Sequence, residues 1–410
     1  MNSNVLNKYI YKYKLDHPVI IVLAGHLAIF FLAMPYFYKF NPYSLLKIFS
    51  VIFLYILFYS LPFLVDNYVN KNKNINIINK YINNPYAYSI LLFVIIYYGI
   101  YTITNSFLLS ILYPLLVIGI LNLFAKCTNL SNNGSNNYSN NNGNFFINIL
   151  STVFKFLSKY IDEFIFGIGV ISFILIVITY NAIPLFNYDV RMEISADPLR
   201  LISTGALVYG GINNIFYFII SFILIALLGY KAGILILCVS FLIFQYKSKK
   251  IPTKWLISSI IGLFIVLTVM SKVILLSSGQ NWKIGILGML SYRAYFDMLV
   301  LEKIINYSNL MLGNIIFNPT GEKFIGEILF NYSHNITSTM FGPVYLDFGI
   351  FGVLFALLFG MASKLIYNGD KKLYAIYASI LLSMCEIGIN YGFLIVMLVF
   401  LYMNSLKIKK

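Results

Sequence analysis

Two apolar runs decide the fold class of this chain. Residues 18–38 read PVIIVLAGHLAIFFLAMPYFY, and residues 45–65 read LLKIFSVIFLYILFYSLPFLV. Each run is long enough to cross a bilayer as a helix, which takes roughly 20 mostly apolar residues. The runs are continuous and lack the alternation of apolar and polar residues that a membrane β-barrel requires. We therefore predict an all-α polytopic membrane protein.

The composition of the whole chain agrees with a membrane protein. Of its 410 residues, 60% are hydrophobic and 10% are charged, and the mean hydropathy is +0.82. A soluble chain carries about 25% charged residues, so this chain lacks the polar surface that a water-exposed globule needs. The positive-inside rule and attraction to anionic lipid explain the net charge of +15. We predict no nucleic-acid partner.

Further apolar runs predict about twelve transmembrane helices. Lysine and arginine concentrate on the cytoplasmic side of membrane proteins, so the basic clusters test this count. The cluster over residues 247–254 lies inside only if residues 199–246 cross the membrane three times. Both termini are then cytoplasmic. The predicted spans are 18–38, 45–65, 87–103, 107–125, 164–183, 199–212, 215–229, 231–246, 255–276, 343–363, 373–388 and 391–406.

Two loops of this single membrane domain (residues 1–410) are unusual. Residues 128–144 form a tract of Asn, Ser and Gly with nothing to bury, so we predict a disordered cytoplasmic linker. Residues 277–342 are far longer than a connection needs, and they retain aromatic side chains such as Trp282 and Phe324. We predict that this segment is a folded extracytoplasmic loop with a function, because long ordered loops are often functional.

On this topology a few cations face the outer side, where the positive-inside rule disfavours them. Arg191 and Arg200 share one outer loop, and Lys231 lies in a tight turn. Arg293 belongs to the long loop. Guanidinium groups bind phosphate through paired hydrogen bonds, so we predict that these cations converge on an anion. The alternative is interfacial snorkelling or pairing with acidic neighbours, namely Asp189, Glu193, Asp197 or Asp297.

The stretch SHNITSTMFGPVYLDFGIFGVLFALLFG, residues 333–360, combines polar, ionisable and glycine residues. His334 precedes a glycine-rich helix entry on the outer side, and an imidazole can exchange protons with a sugar hydroxyl at neutral pH. Asp347 is an ionisable group close to the membrane boundary, where it is costly unless it is paired or functional. A lone histidine is more often structural than catalytic, so a structural His334 is the alternative.

Other motifs limit the chemistry. Glu386, in MCEIGINYG, is a carboxylate within the last pair of predicted spans. It is either functional or kept protonated by burial. The chain has no P-loop, Rossmann glycine pattern, HExxH or GxSxG motif. Cys127, Cys238 and Cys385 lack metal-ligand spacing. We predict no metal site and no cofactor.

These features together resemble the O-antigen polymerase family, the oligosaccharide repeat-unit polymerases of the Wzy type. HNITSTMFGPVYLDFGIFGVL, residues 334–354, is similar to the family's loop-to-helix segment. His334 would match a histidine of the related O-antigen ligases, and Arg293 the loop arginine that holds the lipid diphosphate. LLGYKAG, residues 227–233, is similar to a Gly-x-Arg turn. Lys231 stands there in place of arginine and cannot make the same bidentate contact.

The resemblance implies a metal-independent glycosyltransferase that polymerises polyprenyl-diphosphate-linked oligosaccharide repeat units at the outer face of the cell membrane. His334 and Arg293 would be catalytic, with His334 acting as general base or orienting the acceptor hydroxyl. A flippase or transporter for the same lipid-linked glycans and an O-antigen-type ligase are the alternatives. The partners would be the lipid-linked oligosaccharide, membrane lipid and other polysaccharide-assembly proteins. The residues predicted to bind diphosphate or substrate are Arg191, Arg200, Lys231, Tyr292 and Asp347.

Overall fold

The computed structural model describes residues 15–69, 84–132, 159–194, 197–248, 253–277, 279 and 285–408. Within these ranges the chain forms helices and connecting segments, without a β-strand, so the predicted all-α fold class is confirmed there. Two 3₁₀ helices cover Met34–Lys39 and Gly349–Gly352. The α-helices are α1 (Pro18–Ala33), α2 (Pro42–Val69), α3 (Pro85–Thr104), α4 (Phe107–Asn132), α5 (Ile161–Tyr180), α6 (Tyr188–Glu193), α7 (Pro198–Gly211), α8 (Ile215–Leu227), α9 (Lys231–Lys247), α10 (Thr253–Ser277), α11 (Ile286–Asn306), α12 (Gly321–Phe330), α13 (Gly342–Phe348), α14 (Val353–Tyr367), α15 (Lys371–Ile387) and α16 (Tyr391–Ile408).

Some sequence-based predictions fall outside the described residues. Residues 1–14, which include the N-terminus predicted to be cytoplasmic, lie outside the described ranges, and so do Lys249 and Lys250 of the basic cluster over 247–254. The predicted linker over 128–144 is described only as far as Asn132, where α4 ends. The structure therefore does not test these predictions.

The long apolar helices make this a membrane protein. In the described part of the chain, six helices are long and apolar enough to cross a bilayer, and three shorter helices are also apolar. The count of about twelve spans stays a prediction. It depends on α7 and α8, whose 14 and 13 residues are fewer than the roughly 17–25 of a typical span. The six candidates are Pro18–Lys39, Pro42–Leu64, Pro85–Thr104, Phe107–Lys126, Ile161–Tyr180 and Gly342–Tyr367.

The chain forms two compact units. The first consists of Met1–Pro114, Leu242–Gly262 and Trp282–Tyr402. In this unit α14 packs along α2, α15 packs against α1, and α11 packs against both α1 and α2. Gly360 lets α14 approach α2 closely, because a Cβ atom there would lie 2.1 Å from the carbonyl oxygen of Tyr59. Small residues at helix contacts are typical of membrane proteins.

The second unit consists of Leu115–Phe241, Leu263–Asn281 and Met403–Lys410. In this unit α7 packs against α5 and α8. The hydroxyl of Ser203 on α7 donates a 2.9 Å hydrogen bond to the carbonyl oxygen of Gly169 on α5. A serine hydroxyl that bonds to a neighbouring helix satisfies its polar group within an apolar bundle.

Residues 277–342, the predicted folded loop, contain α11 and α12, and both helices belong to the first unit. Buried side chains of Val300 and Ile304 on α11 pack in one cluster with Ile325 on α12 and with Ile336 in the segment that follows. This packing fixes α11 relative to the extended segment after α12. The location of these residues outside the membrane stays a prediction.

Candidate functional site

The first unit contains a polar cluster around Arg293 of α11. The Nε atom of Arg293 lies 3.2 Å from Oε1 of Glu386, and Nη2 donates a hydrogen bond to Oγ1 of Thr337. Nε also lies 3.9 Å from Oδ1 of Asp297, one helical turn further along α11. The Arg293 cluster, as we name it, comprises these residues and two that support them, that is Arg293, Asp297, Glu322, Thr337, Glu386 and Asn390.

The backbone places Thr337 and Glu386 side by side. The extended segment after α12 runs past the turn between α15 and α16, where the N–H of Ser338 donates to the carbonyl oxygen of Ile387 at 3.3 Å. Gly388 has φ of +95° in this turn, a conformation that glycine adopts without steric cost. The end of α15 therefore meets the segment that carries Thr337, and α11 supplies Arg293.

Asp297 is the buried member of the cluster. Its side chain is 0% exposed, and its Oδ1 accepts a 3.0 Å hydrogen bond from Oγ1 of Thr337. Its Oδ2 has no hydrogen-bond partner in the part of the chain that the structure describes. Burial raises the pKa of the Asp297 carboxyl to about 7, even though the Arg293 charge and the Thr337 hydrogen bond act in the opposite direction. This carboxyl therefore titrates near neutral pH.

Glu322, in the first turn of α12, is a second carboxyl group near Arg293. Burial raises its pKa above the ordinary value, whereas the hydrogen bond from Asn390 and the charge of Arg293 lower it. Asn390 Nδ2 donates to Oε1 of Glu322 at 2.5 Å. Because burial favours the protonated forms of Asp297 and Glu322, the negative charge around the guanidinium is limited.

The cluster reaches the surface at two side chains. Arg293 is 47% exposed and Glu386 is 52% exposed. Arg293 uses Nε and Nη2 for its contacts with Glu386 and Thr337, and Nη1 has no partner among the residues described. A guanidinium carries five N–H donors in one plane. Arg293 is therefore held from within the protein while part of its fork faces outward.

His334 lies on the same extended segment as Thr337 but makes different contacts. It is exposed, and its ring meets the ring of Tyr332 edge-on, with 4.4 Å between the centroids. Within the described ranges, no hydrogen bond joins its side chain to the Arg293 cluster. The imidazole therefore lies on the surface of the first unit.

Tyr292 precedes Arg293 on α11 and belongs to an aromatic group at the surface. Its ring centroid lies 6.0 Å from the ring centroids of both Tyr36 and Tyr295. Tyr36 and Tyr295 stack at 5.1 Å, and the Lys39 ammonium lies within cation–π distance of both rings. This arrangement places an aromatic group next to Arg293 on α11.

Asp347, predicted to bind substrate, is buried in the first unit. Its Oδ1 accepts a hydrogen bond from the N–H of Ile315 at 3.1 Å, and its Oδ2 accepts one from the N–H of Ile316 at 2.8 Å. The side chain is 0% exposed. The carboxylate thus holds the loop before α12, and its role toward substrate stays a prediction without geometric support.

Arg191 is buried in the second unit, and its guanidinium is hydrogen-bonded to other groups of the protein. Its Nη1 donates to the carbonyl oxygen of Leu185 at 3.2 Å and to Oγ of Ser277 at 2.8 Å. The residue is 6% exposed. Its guanidinium ties the loop before α6 to the end of α10, so this geometry does not support diphosphate binding by Arg191.

The second unit does bring some of the predicted cations together. The Arg200 guanidinium lies 4.1 Å from the ring centroid of Tyr230, and the Tyr230 hydroxyl donates to the carbonyl oxygen of Arg191 at 2.8 Å. Lys231 follows Tyr230 and begins α9. Arg293 belongs to the other unit, so convergence of all four cations stays a prediction.

In the ranges that the structure describes, no group of three or more His, Cys, Asp or Glu side chains is arranged to hold a metal ion. The positive charge at the Arg293 cluster comes from the guanidinium itself. The arrangement can therefore bind an anionic group at Arg293, and it places a surface carboxylate, Glu386, directly beside that group.

Comparison with known proteins decides the family. The model of the family described as "Putative O-antigen polymerase" matches residues 14–402. The chain belongs to this family. An uncharacterized protein of Methanocaldococcus jannaschii is 47% identical over 402 residues, which cover 98% of this chain and 95% of that protein. No solved structure matches the chain significantly. The resemblance to O-antigen polymerases is thereby confirmed over nearly the whole length.

Arg293 was predicted as a site residue from the sequence of this O-antigen polymerase family member, but most of its partners were not. Pairing of Arg293 with Asp297 was the alternative to anion binding, because residues four apart share one face of a helix. Glu386 was predicted to be either functional or protonated by burial, and its contact with Arg293 was not predicted. Thr337 and Glu322 carry no sequence pattern that indicates this site, since only the folded segments bring them to Arg293.

Asp297→Asn should remove part of the pH dependence of stability in this polymerase-family protein. The pKa of Asp297 is about 7 in the folded protein, above the ordinary value of 3.8. The stability of the fold is therefore highest below about pH 4, where the group is protonated, and falls as pH rises to about 7 because ionisation of the buried group is unfavourable. Asn cannot ionise but keeps an acceptor for Thr337. The pH 8 advantage of the variant is at most about 4 kcal/mol.

The measurement is the apparent midpoint of thermal unfolding in detergent micelles between pH 4 and pH 8. Wild type should fall relative to Asp297→Asn as pH rises through this window, and the two should agree best at the acid end. Parallel curves for the two proteins would show that Asp297 ionises in the folded protein as it does in the unfolded chain.

Proposed function

We propose that this protein is a glycosyltransferase that polymerises polyprenyl-diphosphate-linked oligosaccharide repeat units at the outer face of the cell membrane. Membership of the O-antigen polymerase family supports a polymerase role, and the long apolar helices support action within a membrane. The donor is a glycan on a lipid diphosphate, and the acceptor is a sugar hydroxyl on a second lipid-linked unit.

The Arg293 cluster is the observation that carries this proposal. A half-exposed guanidinium that is oriented by Glu386 and Thr337 suits an oxygen-rich anion, because two of its N–H groups can bond to one phosphate. In the reaction, negative charge develops on the diphosphate as its bond to the sugar breaks. A preorganised cation at that position stabilises the transition state more than the bound ground state.

The other predicted residues take different places in the proposal. Tyr292 offers an aromatic face to a sugar ring beside the diphosphate, and His334 orients the acceptor from the exposed segment. Arg200 and Lys231 stay candidate anion ligands in the second unit. Arg191 and Asp347 are assigned to the structure of the protein, because their charged groups are already hydrogen-bonded to it.

Reconstitution tests the function. The purified full-length protein is placed in liposomes with lipid-linked oligosaccharide extracted from the source organism's membranes, and product length is measured by mass spectrometry. A polymerase produces a ladder that rises by one repeat unit. A flippase moves the oligosaccharide across the bilayer at constant length. A ligase transfers glycan only when a different acceptor is added, so either of these results contradicts the proposal.

Labelling of an introduced cysteine tests the outer location of the loop. Ser308 is exposed in the segment after α11, and we expect Ser308→Cys to react with a membrane-impermeant maleimide in intact cells. Lys371→Cys, at the exposed start of α15, is the matched control and should react only after permeabilisation. The background lacks the three native cysteines. The opposite pattern would place the Arg293 cluster on the cytoplasmic side.

A further inference from the structure

Glu386 is the carboxylate of the Arg293 cluster that a substrate can reach. Its side chain is 52% exposed, whereas that of Asp297 is 0% exposed. Glu322 is partly buried and bonded to Asn390. Glu386 Oε1 lies 3.2 Å from the group that we propose to hold the diphosphate, so it lies next to the bond that must break.

We propose that Glu386 is the catalytic base that removes the proton from the acceptor hydroxyl. This inference rests on the proposed function, which it extends by a second catalytic residue. A base must lie within hydrogen-bond reach of the proton that it takes. An acceptor hydroxyl that approaches a donor held at Arg293 meets Glu386 at the open edge of the cluster.

The step balances without a further reactant. The acceptor oxygen forms a bond to the anomeric carbon of the donor sugar while its proton passes to the Glu386 carboxylate. The bond between the anomeric carbon and the diphosphate oxygen breaks, and its electron pair leaves with the diphosphate. Arg293 stabilises the charge on that leaving group. Glu386 then releases its proton to water.

The ion pair places the base beside the donor site. Nε of Arg293 contacts Glu386 and Nη2 contacts Thr337, so the side of the guanidinium that carries Nη1 is open to the diphosphate. Glu386 therefore stays next to the donor when the diphosphate is bound.

A purely structural role predicts different behaviour. Half-exposed ion pairs contribute little to stability. The Lys323–Glu327 pair on α12 is also half exposed, with 3.8 Å between its charged atoms and 44% exposure of Glu327. If Glu386 only positioned Arg293, replacing it would weaken donor binding. If Glu386 is the base, replacing it lowers turnover while donor binding persists or tightens.

Glu386→Gln tests the inference in the reconstituted system, with Glu327→Gln as the matched control. We expect turnover at saturating substrate to fall by roughly 10²–10⁴-fold, as for loss of a general base. Binding of farnesyl diphosphate, a short diphosphate probe, should be equal or tighter. The fall in turnover at acid pH that protonation of the base causes in wild type should disappear. Glu327→Gln should match wild type in all three measurements.

A second variant distinguishes loss of the base from misfolding. Glu386→Ala should regain turnover with added formate, which supplies a carboxylate in the space left by the side chain, and Arg293→Ala should not. Wild-type turnover in Glu386→Gln, or weaker farnesyl diphosphate binding with an unchanged pH profile, would overturn the role as base while polymerisation stands. Absence of polymer from wild type would instead contradict the proposed function.

Discussion

Arg293→Ala should abolish polymer formation while the amount of folded protein in the membrane stays unchanged. The side chain is half exposed, so its loss removes little packing. Its removal takes away the cation that meets the leaving diphosphate, and groups of this kind contribute roughly 10³-fold or more to turnover. The measurement is the rate of ladder formation by purified variants in liposomes.

Arg293→Lys should recover only a small part of this activity. Lysine keeps the positive charge but has no planar fork, so it cannot contact Glu386 and Thr337 while bonding to phosphate oxygens. Lys323→Ala is the matched control, because Lys323 is a cation with the same 47% exposure on neighbouring helix α12. A normal ladder from Arg293→Ala, or an equal loss in Lys323→Ala, would remove Arg293 from the site.

His334→Ala should reduce polymerisation by roughly 10²-fold, the order expected when a substrate is misplaced by about an ångström. The exposed imidazole lies on the segment that carries Thr337, and in our proposal it hydrogen-bonds to the acceptor sugar. Binding of farnesyl diphosphate should persist, because the diphosphate is held at Arg293. Initial rates at varied oligosaccharide concentration measure the effect.

His334→Gln separates the two roles that the sequence leaves open. Gln can donate or accept a hydrogen bond but does not titrate near neutral pH. If His334 orients the acceptor, the Gln variant retains most of the turnover and its pH profile matches wild type. A loss in His334→Gln as large as in His334→Ala would make His334 the base and contradict the assignment to Glu386. Asn335→Ala, at the exposed next position, serves as control.

The helices could be predicted from sequence because their cause is local. A continuous apolar run such as 18–38 satisfies its backbone polar groups within one segment, and the bilayer leaves few alternatives. Short runs are harder to assign. Residues 199–212 and 215–229 were predicted as separate spans, and they form separate helices of 14 and 13 residues, which are shorter than a typical span.

The site could be predicted only in part because most of its contacts are distant along the chain. Arg293 and Asp297 are four residues apart, so they lie close together on one face of any α-helix that contains both. Arg293 and Glu386 are separated by 93 positions, and their contact depends on how α11 and α15 pack. Arg191 shows the opposite case. Its charge suggested that it binds an anion. In the folded protein, however, its guanidinium donates hydrogen bonds to a backbone carbonyl and to a serine hydroxyl, and these contacts could not be predicted from the sequence.

Measuring whether Arg293 makes the protein select a diphosphate tests its proposed role most directly. Binding of farnesyl diphosphate and of farnesol to the purified protein is measured by titration calorimetry in the same detergent. We expect wild type and Lys323→Ala to prefer the diphosphate, and Arg293→Ala to bind the two probes about equally. An undiminished preference for the diphosphate in Arg293→Ala would contradict the assignment of Arg293 as the diphosphate ligand.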